Sequence, residues 1–495
     1  MGLWRRLFPW LMAAALTACS SVPEHERPAL PEDWFHGQAR PLDDAALTEW
    51  WQRFDDPMLT GLVQRAINDN RNVRQAMLQV EATRAQLRQS RSGLFPRLDL
   101  PGSFSRQWVG LDNAAEGTEL EPFVGGGDTL RLDMWELALQ ASWEIDLFGA
   151  RRARVDAARQ QMRATQAEAI AARLAVAANA AQGYVQLRAL QGQQQLLEES
   201  IGIAAELERI AGLLFEVGDV TRLDVQSATA ERTALQAQRV NLEISLAEAR
   251  LALDTLLAQP HGSLAREIAR SAPVPLIEGG IPPGQPIDLL RRRPDLIAAA
   301  AQLDAADRLS LAARRDLFPQ LAVQAAAGRS GVALNSNFST ASNFARLGAT
   351  FGLPLLDFGQ RRAAIELADV QGQGAFLALE QAIADALEEV ERGLVAQEGQ
   401  QRRLAALHEV LEQRERTYRL AQRTYELGEA NLPEVLDAQR GLLQARQQVL
   451  EGRTALATAQ VALFVALGGG WQSAPLADVE GIAEAGSTAT PGAHP

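Results

Sequence analysis

Apolar residues recur at helical spacing over most of the chain and at alternate positions in two shorter segments. Helical spacing of three and four residues covers the ranges 44–95, 148–258, 287–318 and 358–468. The stretch from Gly149 to Phe215 contains no proline, and at 1.5 Å rise per residue such a helix is about 100 Å long. Turns near Gly218 and Gly428 divide the second and fourth ranges into helical hairpins, and a connector at 259–286 separates the two halves.

The alternating segments predict two β-hairpins, at 96–147 and 319–357. In the first hairpin the alternation of apolar and polar residues changes parity, which predicts a bulge near Met134. Stretches rich in Gly, Asn and Ser at 112–128 and 332–342 predict the connecting loops. Strands of about ten residues with one apolar and one polar face are typical of a membrane β-barrel.

Four strands in one chain are too few to close a barrel. An open sheet edge has unpaired N–H and C=O groups that lipid cannot satisfy. Two copies would give eight strands with an interior filled by side chains, whereas three copies would give twelve strands and leave room for a pore. The pattern leaves both arrangements open, and a transport role favours the trimer.

The chain is internally duplicated. A Phe-Gly-x-Arg-Arg-Ala motif that begins at Phe148 recurs at Phe358, and the turn glycine Gly218 recurs as Gly428. Both pairs are 210 residues apart (358 − 148 and 428 − 218). A Leu-Phe-Pro motif before each β segment recurs at an offset of 223 (319 − 96), so the first copy has 13 additional residues in its hairpin. A period this long indicates a duplicated half and not a solenoid repeat.

Charge and composition exclude several classes of function. The chain has 48 basic residues, all of them arginine, and 61 acidic residues, which give a net charge of −13. This charge argues against a nucleic-acid-binding protein, because nucleic acid requires a basic surface. The five histidines are scattered without metal-ligand spacing, and the sequence has neither a glycine-rich phosphate loop nor a nucleophile motif. We therefore expect a protein that is not an enzyme and needs no cofactor.

The N-terminus has the pattern of a bacterial lipoprotein signal. A basic pair and a short apolar run precede the motif Leu-Thr-Ala-Cys, which ends at Cys19, the single cysteine. We expect a signal peptide at 1–18 and a lipidated N-terminal tether at 19–43, with covalent diacylglycerol and N-acyl chains on Cys19. The C-terminal tail at 469–495 is predicted to be partly disordered.

Three further motifs carry a resemblance to a known family: WWQRFDDP at 50–57, RRRPDL at 291–296 and LGGGW at 467–471. Together with the duplication and the lipoprotein signal, they resemble the TolC-like outer-membrane factors, in the lipoprotein (NodT-type) branch that serves resistance-nodulation-division (RND) efflux pumps. The resemblance covers residues 50–471. It implies a mostly α protein with a membrane β-barrel part: a long periplasmic α-helical barrel plus four strands per chain, twelve in a homotrimer. It also implies two partners, a periplasmic adaptor (membrane fusion) protein and an inner-membrane RND-type pump.

The family's functional residues lie around the two helix turns. The positions that match its adaptor-contact tips are Val217, Gly218, Asp219, Leu427, Gly428 and Glu429. The positions that match its periplasmic gate are Glu434, Asp437, Arg440 and Asp224, the last being the first-copy equivalent of Glu434. Ser227 replaces Asp437 in the first copy, so the second hairpin is expected to provide most of the closure. The alternatives are glycines that merely end helices and a solvated helical face.

The predicted function is that of the outer-membrane channel of a tripartite efflux system. It would export small molecules, such as drugs or other toxic compounds, from a lipid-anchored position in the outer membrane that extends into the periplasm. One alternative is the outer-membrane channel of a type I protein secretion system. An alternative of another class is a lipid-anchored periplasmic coiled-coil scaffold, which leaves the alternating segments unexplained.

Overall fold

The computed structural model describes residues 30–37, 47–110, 129–334, 338–430 and 432–471. Its helices and strands, in chain order, are α1 (Pro57–Asp69), α2 (Arg71–Ser92), β1 (Arg97–Asp99), β2 (Gly102–Gly110), β3 (Thr129–Ile145), α3 (Ala150–Val217), α4 (Arg222–Leu256), α5 (Leu289–Arg292), α6 (Pro294–Arg315), β4 (Gln320–Leu334), β5 (Phe338–Gly352), α7 (Gln360–Glu426) and α8 (Leu432–Ala466). The chain divides into two compact units. Among the described residues, the first unit contains Ala82–Met162 and Ala301–Leu377, and the second contains the remainder.

The first unit contains an antiparallel sheet in which β3 and β4 are central. β1 and β2 lie end to end along one edge of β3, with Leu98 opposite Ala141 and Phe104 opposite Trp135. β5 forms the other edge and pairs with β4. The prediction of four strands is therefore corrected: the sheet contains five strands, and two of them, β1 and β2, share one edge position beside β3. Pro101, which has no N–H to donate, interrupts the first strand between β1 and β2.

Two details of the predicted hairpins are wrong. β3 pairs with β2 and with β4 in continuous register through Met134, so the predicted bulge is absent. The change of parity instead marks a place where polar and apolar residues exchange faces of the sheet. The predicted loop at 332–342 is mostly strand, because β4 continues to Leu334 and β5 begins at Phe338. The predicted loop at 112–128 lies outside the described residues.

The two helical hairpins repeat in structure as they do in sequence. Helices α4 and α8 begin at residues 222 and 432 and end at residues 256 and 466, so both ends are 210 residues apart. Helices α3 and α7 are similarly matched, with 68 and 67 residues. The duplication therefore extends to the bounds of the helices.

The helical segments predicted at 44–95 and 287–318 are each broken. The Asp56 side chain accepts hydrogen bonds from two backbone N–H groups and starts α1 after a short 3-10 turn. The Asn70 side chain does the same at the start of α2. Pro294 begins α6, because a proline cannot continue the hydrogen bonding of the preceding helix. Helix caps and a proline therefore break each of these segments into shorter helices, although the apolar pattern by itself predicts one continuous helix.

The core of the second unit surrounds the motif at 50–57. Trp50 stacks on Phe464 of α8, with the ring centroids 5.5 Å apart, and both side chains are fully buried. The buried hydroxyl of Tyr184 in α3 donates a hydrogen bond to Asp56 at 2.7 Å. Burial raises the pKa of Tyr184 above its usual range, and the bond to the Asp56 carboxylate raises this pKa further. The motif therefore links the N-terminal segment to the long helices.

Among the described residues, one helical stretch, Pro433–Ala466, is long and apolar enough by composition to cross a membrane. However, 56% of its most apolar window is buried inside the protein, as is common in core helices. Val449 and Leu456 in this stretch pack against Leu404 of α7. Its apolar surface therefore serves packing between helices.

Candidate functional sites at the helix turns

The first predicted tip is a helix C-terminus that a glycine closes. Helix α3 ends at Val217, and Gly218 follows with φ 86°, a conformation that residues with a side chain rarely adopt. The N–H of Gly218 donates to the carbonyl of Phe215 at 3.1 Å, and the N–H of Asp219 donates to that of Leu214 at 2.9 Å. This pattern satisfies the last carbonyls of the helix.

The second tip has the same geometry. Gly428 follows Leu427 with φ 75°. Its N–H donates to the carbonyl of Tyr425 at 2.9 Å, and the N–H of Glu429 donates to that of Thr424, also at 2.9 Å. The backbone therefore favours glycine at both turns, which is a structural reason for these residues that is independent of any partner.

The side chains beside the two glycines extend into solvent. Val217 is 71% exposed and Leu427 is 66% exposed, although both are apolar. Apart from each glycine and its two neighbours in the chain, no heavy atom of the described residues lies within 4 Å of the position that a Cβ would take on Gly218 or Gly428. Each tip is therefore a small apolar surface flanked by an acidic residue, with room for another backbone to approach closely.

Asp224 has a local role in the first hairpin. Its carboxylate accepts hydrogen bonds from the hydroxyl and the backbone N–H of Thr221, at 2.7 and 2.8 Å. The Thr221 hydroxyl accepts in turn from the N–H of Asp224, which completes a capping box at the start of α4. The bonds from the Thr221 hydroxyl and then from its N–H lower the pKa of Asp224. Asp224 thus caps a helix, and a gate role for it stays a prediction.

Glu434, Asp437 and Arg440 are all exposed side chains of α8, whereas the intervening Val435 and Ala438 are buried. A guanidinium nitrogen of Arg440 lies 3.7 Å from a carboxylate oxygen of Asp437, one turn earlier on the helix. Exposed pairs of this kind contribute about 0.2–1 kcal/mol. The three predicted gate residues therefore share one solvent-facing side of α8, held by weak interactions.

Arg440 also reaches the other hairpin, through a residue that the sequence analysis missed. Its guanidinium lies 3.7 Å from a carboxylate oxygen of Glu231 in α4. Both residues line a cavity of about 420 Å³ between α3, α4 and α8. The repeat contained a signal for this contact. Ala230 is the first-copy counterpart of Arg440 (440 − 210), so the adjacent Glu231 lies at nearly the same position along its hairpin as Arg440 does along the other. Loss of the pair would remove an electrostatic link between the two hairpins.

The sequence matches the model of the outer membrane efflux protein family over residues 62–259 and 286–469, more than half of its length. The chain belongs to this family. It is 33% identical to the outer membrane protein OprJ of Pseudomonas aeruginosa, over 93% of this chain and 95% of OprJ. It is 30% identical to the probable efflux pump outer membrane protein TtgC of Pseudomonas putida, over 93% and 96%. The solved open state of the Neisseria gonorrhoeae MtrE outer membrane channel is 25% identical, covers 92% of this chain and 99% of MtrE, and gives a TM-score of 0.76.

Family membership decides between the functional classes. The family and these relatives are outer membrane channels and not enzymes, so the prediction of an outer membrane efflux component is confirmed. The scaffold alternative is excluded on the same ground. The likeness to MtrE also fits the combination of long helices with an antiparallel sheet. The predicted lipidation site Cys19 and signal peptide lie outside the described residues.

Proposed function

We propose that three copies of this efflux protein close one twelve-stranded barrel in the outer membrane. The channel would export drugs or other toxic small molecules that a periplasmic adaptor and an inner-membrane RND-type pump deliver. The observation that carries the proposal is a sheet with two open edges and an exposed apolar face. Leu347, on the edge strand β5, is 81% exposed in the single chain.

The open edges require a neighbour. Within the described residues, β2 pairs only with β3 and β5 pairs only with β4. Lipid offers no hydrogen-bond partners, so the free edges of β2 and β5 must pair elsewhere if the sheet lies in a membrane. Pairing between copies satisfies both edges. Two copies would give a barrel filled by side chains, whereas three leave the pore that export needs.

The residues at and just after the helix turns form the proposed adaptor-docking surfaces and the proposed periplasmic gate. The exposed tips at 217–219 and 427–429 are surfaces on which an adaptor can dock. Glu434, Asp437 and Arg440, together with Glu231, form the proposed periplasmic gate. The exposed side of α8 and the Arg440–Glu231 pair support this assignment. A ring of carboxylates repeated in three copies would favour cations at the open aperture.

The proposal includes a lipid anchor. Acyl chains on Cys19 would hold the N-terminus at the membrane, since each buried methylene contributes about 0.8 kcal/mol and several chains together anchor a protein firmly. The lipoprotein motif that ends at Cys19 supports the anchor, and membership in an outer membrane family is compatible with it.

Engineered disulfides test the closure, because Cys19 is the single cysteine of the sequence. One cysteine replaces Ser105 on β2, and the second scans the same face of β5 at positions 340–350. After oxidation in outer membranes, non-reducing gels should show disulfide-linked dimers and trimers, and no larger species. Disulfide-linked dimers without trimers, or the absence of any linked species across the scan, would overturn the proposal.

Two measurements complete the test. Ser105 and Met134 are direct neighbours on β2 and β3 of one chain, so cysteines there should link within a chain and give no oligomer. The linked trimer should conduct ions in planar bilayers. It should also restore drug resistance in a strain without its own channel only when adaptor and pump are present. Conductance that is absent from a correctly linked trimer would exclude a channel.

A further inference from the structure

The two β-hairpins of the first unit pair in the same register. Phe104 of β2 lies opposite Trp135 of β3. Their counterparts in the second half of the chain are Ala327 and Ala345, at offsets of 223 and 210 residues (327 − 104 and 345 − 135), and these lie opposite each other in β4 and β5. Every other pair of the first hairpin has a counterpart pair in the second. The duplication therefore extends to the register of the strands.

A second register joins the two hairpins within the chain. β3 and β4 pair with each other, with Leu139 opposite Ala327. β5 is the duplicate of β3, and β1 with β2 is the duplicate of β4, but the outer edges of these strands are free within the described residues. At the same offsets, the duplicate of this pair is Ala349 of one copy opposite Phe104 of another (349 − 139 and 327 − 104). Two copies of the chain can therefore join in the way that its two halves do.

The side chains of the two free edges are complementary in size in this register. On the apolar face of the sheet, three of the four pairs that residues 102–108 of β2 form with β5 join a large side chain with a small residue: Trp108 with Ala345, Phe104 with Ala349, and Gly102 with Phe351. The fourth pair, Arg106 with Leu347, is the duplicate of an arginine–leucine pair between β4 and β3. A shift by two residues in one direction would place Phe104 opposite Phe351. Close packing therefore favours the register that the duplication gives.

Where the sheet meets the helices, an aromatic stack joins the two halves of one chain. The ring of Phe148, just before α3, stacks on that of Phe318, just before β4, with the centroids 5.0 Å apart. The counterparts of these residues, Phe358 and Phe95, are 94% and 68% exposed, and neither ring contacts another ring of the described residues. Phe358 also has φ 51°, a conformation that bulky residues rarely adopt and that Phe148 does not share. The second junction therefore lacks its aromatic contact in the single chain.

We propose that Phe358 of one copy stacks on Phe95 of the next copy, at an interface where β5 of the first pairs with β1 and β2 of the second in the register given by the duplication. The inference rests on the proposed function, which brings copies together edge to edge, and it adds the residues that hold them. The partner is a second copy of this chain, because the free surface is the duplicate of one that the chain already covers with its own other half. Head-to-tail contacts of this kind can close into a ring.

The stack matters more between copies than it does within a chain. Within the chain two polar contacts flank it: Arg154 forms an ion pair with Asp316, and Arg315 donates a hydrogen bond to the carbonyl oxygen of Gly149 at 3.0 Å. Between copies the counterparts of these four residues are uncharged, namely Ala364, Gly93, Ser92 and Gly359. The Ser92 hydroxyl already donates to a carbonyl of its own helix, at 2.7 Å. The two rings therefore carry most of the contact between copies at this level of the molecule.

Cysteine cross-linking of the full chain tests the register. Ser103 of β2 and Thr350 of β5 are directly opposite between copies in this register, since their counterparts Ala326 and Gln140 are opposite within the chain. Cysteines at Ser103 and Thr350 should link copies at least severalfold faster than cysteines at Ser103 and either Gly348 or Gly352. A shift of two residues moves the two Cβ atoms from about 5 Å to about 7 Å apart, too far for an unstrained disulfide. Faster linkage at either glycine position would overturn the register.

Removal of the two rings tests the stack. Phe358→Ala and Phe95→Ala should each speed dissociation of the purified trimer in denaturing detergent roughly tenfold or more, because loss of an aromatic anchor acts mainly on the rate of dissociation. The double variant should dissociate at most about twofold faster than the faster single variant, because both single variants lose the same stack. Phe358→Tyr keeps the stack and should dissociate like the wild type, as should the control Phe35→Ala, which removes a ring that is 88% exposed in the second unit.

Two results would overturn the stack: wild-type dissociation rates in both alanine variants, or single effects that multiply in the double variant. If the alanine variants do not assemble, Phe358→Leu and Phe95→Leu provide the same cycle.

The cross-links separate this inference from the proposed function. Trimers that form and conduct, but link fastest in a shifted register or dissociate at the wild-type rate without the two rings, would overturn the interface alone. A protein that links into trimers at no pair of positions and does not conduct would overturn the proposed channel itself.

Discussion

Replacement of Asp56 by alanine tests how the N-terminal segment is held against the long helices. One carboxylate oxygen accepts hydrogen bonds from the backbone N–H groups of Met58 and Leu59, at 2.8 and 3.1 Å. The other accepts from the hydroxyl of Tyr184, at 2.7 Å. A single side chain therefore starts a helix and satisfies a fully buried hydroxyl at the same time.

The two roles give the expected loss of stability. Loss of an N-terminal helix cap costs about 1 kcal/mol. A buried hydroxyl that is left without an acceptor costs about 1–3 kcal/mol, so Asp56→Ala should lose about 2–4 kcal/mol in the free energy of unfolding. Tyr184→Phe should lose about 1 kcal/mol. The double variant, Asp56→Ala with Tyr184→Phe, leaves no hydroxyl unsatisfied. Its loss in the free energy of unfolding should therefore be smaller than the sum of the two single losses, by about 1–2 kcal/mol.

Thermal unfolding in detergent, followed by circular dichroism at one scan rate, measures these losses. An unfolding entropy of about 2.1 cal/mol/K per residue gives on the order of 1 kcal/mol/K for 495 residues, so Asp56→Ala should lower Tm by about 2–4 °C. The matched control is Asp55→Asn. Asp55 is exposed with φ 49°, a conformation that asparagine tolerates well, so its Tm should change by less than about 0.5 °C.

The double-variant cycle decides the outcome. If the losses of Asp56→Ala and Tyr184→Phe simply add, the carboxylate and the hydroxyl do not interact, and the reasoning is refuted. A loss for Asp56→Ala no greater than that for Asp55→Asn would refute it as well.

The remaining predictions concern the two helix turns. Glu434→Ala combined with Asp437→Ala should raise single-channel conductance in planar bilayers, because the proposed gate loses two carboxylates; unchanged conductance would exclude a gate at these residues. The lowered pKa of Asp224 means that its cap is complete above the unfolded pKa of about 3.9 and is lost as pH falls through the lower folded pKa. The protection of amides at the start of α4, measured as the exchange rate relative to the intrinsic rate at the same pH, should therefore decrease below about pH 4. Thr221→Ala should weaken that pH dependence, and protection that stays constant across this range contradicts the cap. Gly428→Ala should destabilise the turn by about 1 kcal/mol, since φ is 75° although space is open, and Gly428→Asn should cost less; equal shifts in Tm for the two variants would contradict this.

The sequence by itself determined the helical hairpins and their repeat. Periodicity, glycine and proline act over a few residues, so the turns at Gly218 and Gly428 and the offset of 210 are readable without tertiary structure. The same local signals placed the candidate tips and the acidic and basic residues of α8. The spacing of Thr221 and Asp224 is also a local signal, the sequence signature of a capping box, and the sequence analysis missed it.

In the sheet, the sequence determined the hairpins but not the meaning of the parity change. Alternation shows where strands occur, whereas register depends on the hydrogen bonds to neighbouring strands. Only the continuous pairing of β3 revealed that no bulge occurs at Met134, so that Arg131 and Asp133 lie on the same face of the sheet as Trp135.

Contacts between distant segments were decided by tertiary structure alone. Arg440 and Glu231 are 209 residues apart, and Asp56 and Tyr184 are 128 apart (440 − 231 and 184 − 56). No local pattern encodes such pairs, because they form only when packing of the long helices brings their side chains within hydrogen-bond or ion-pair distance. The sequence therefore specified the elements and their repeat, and the packing decided which side chains act together.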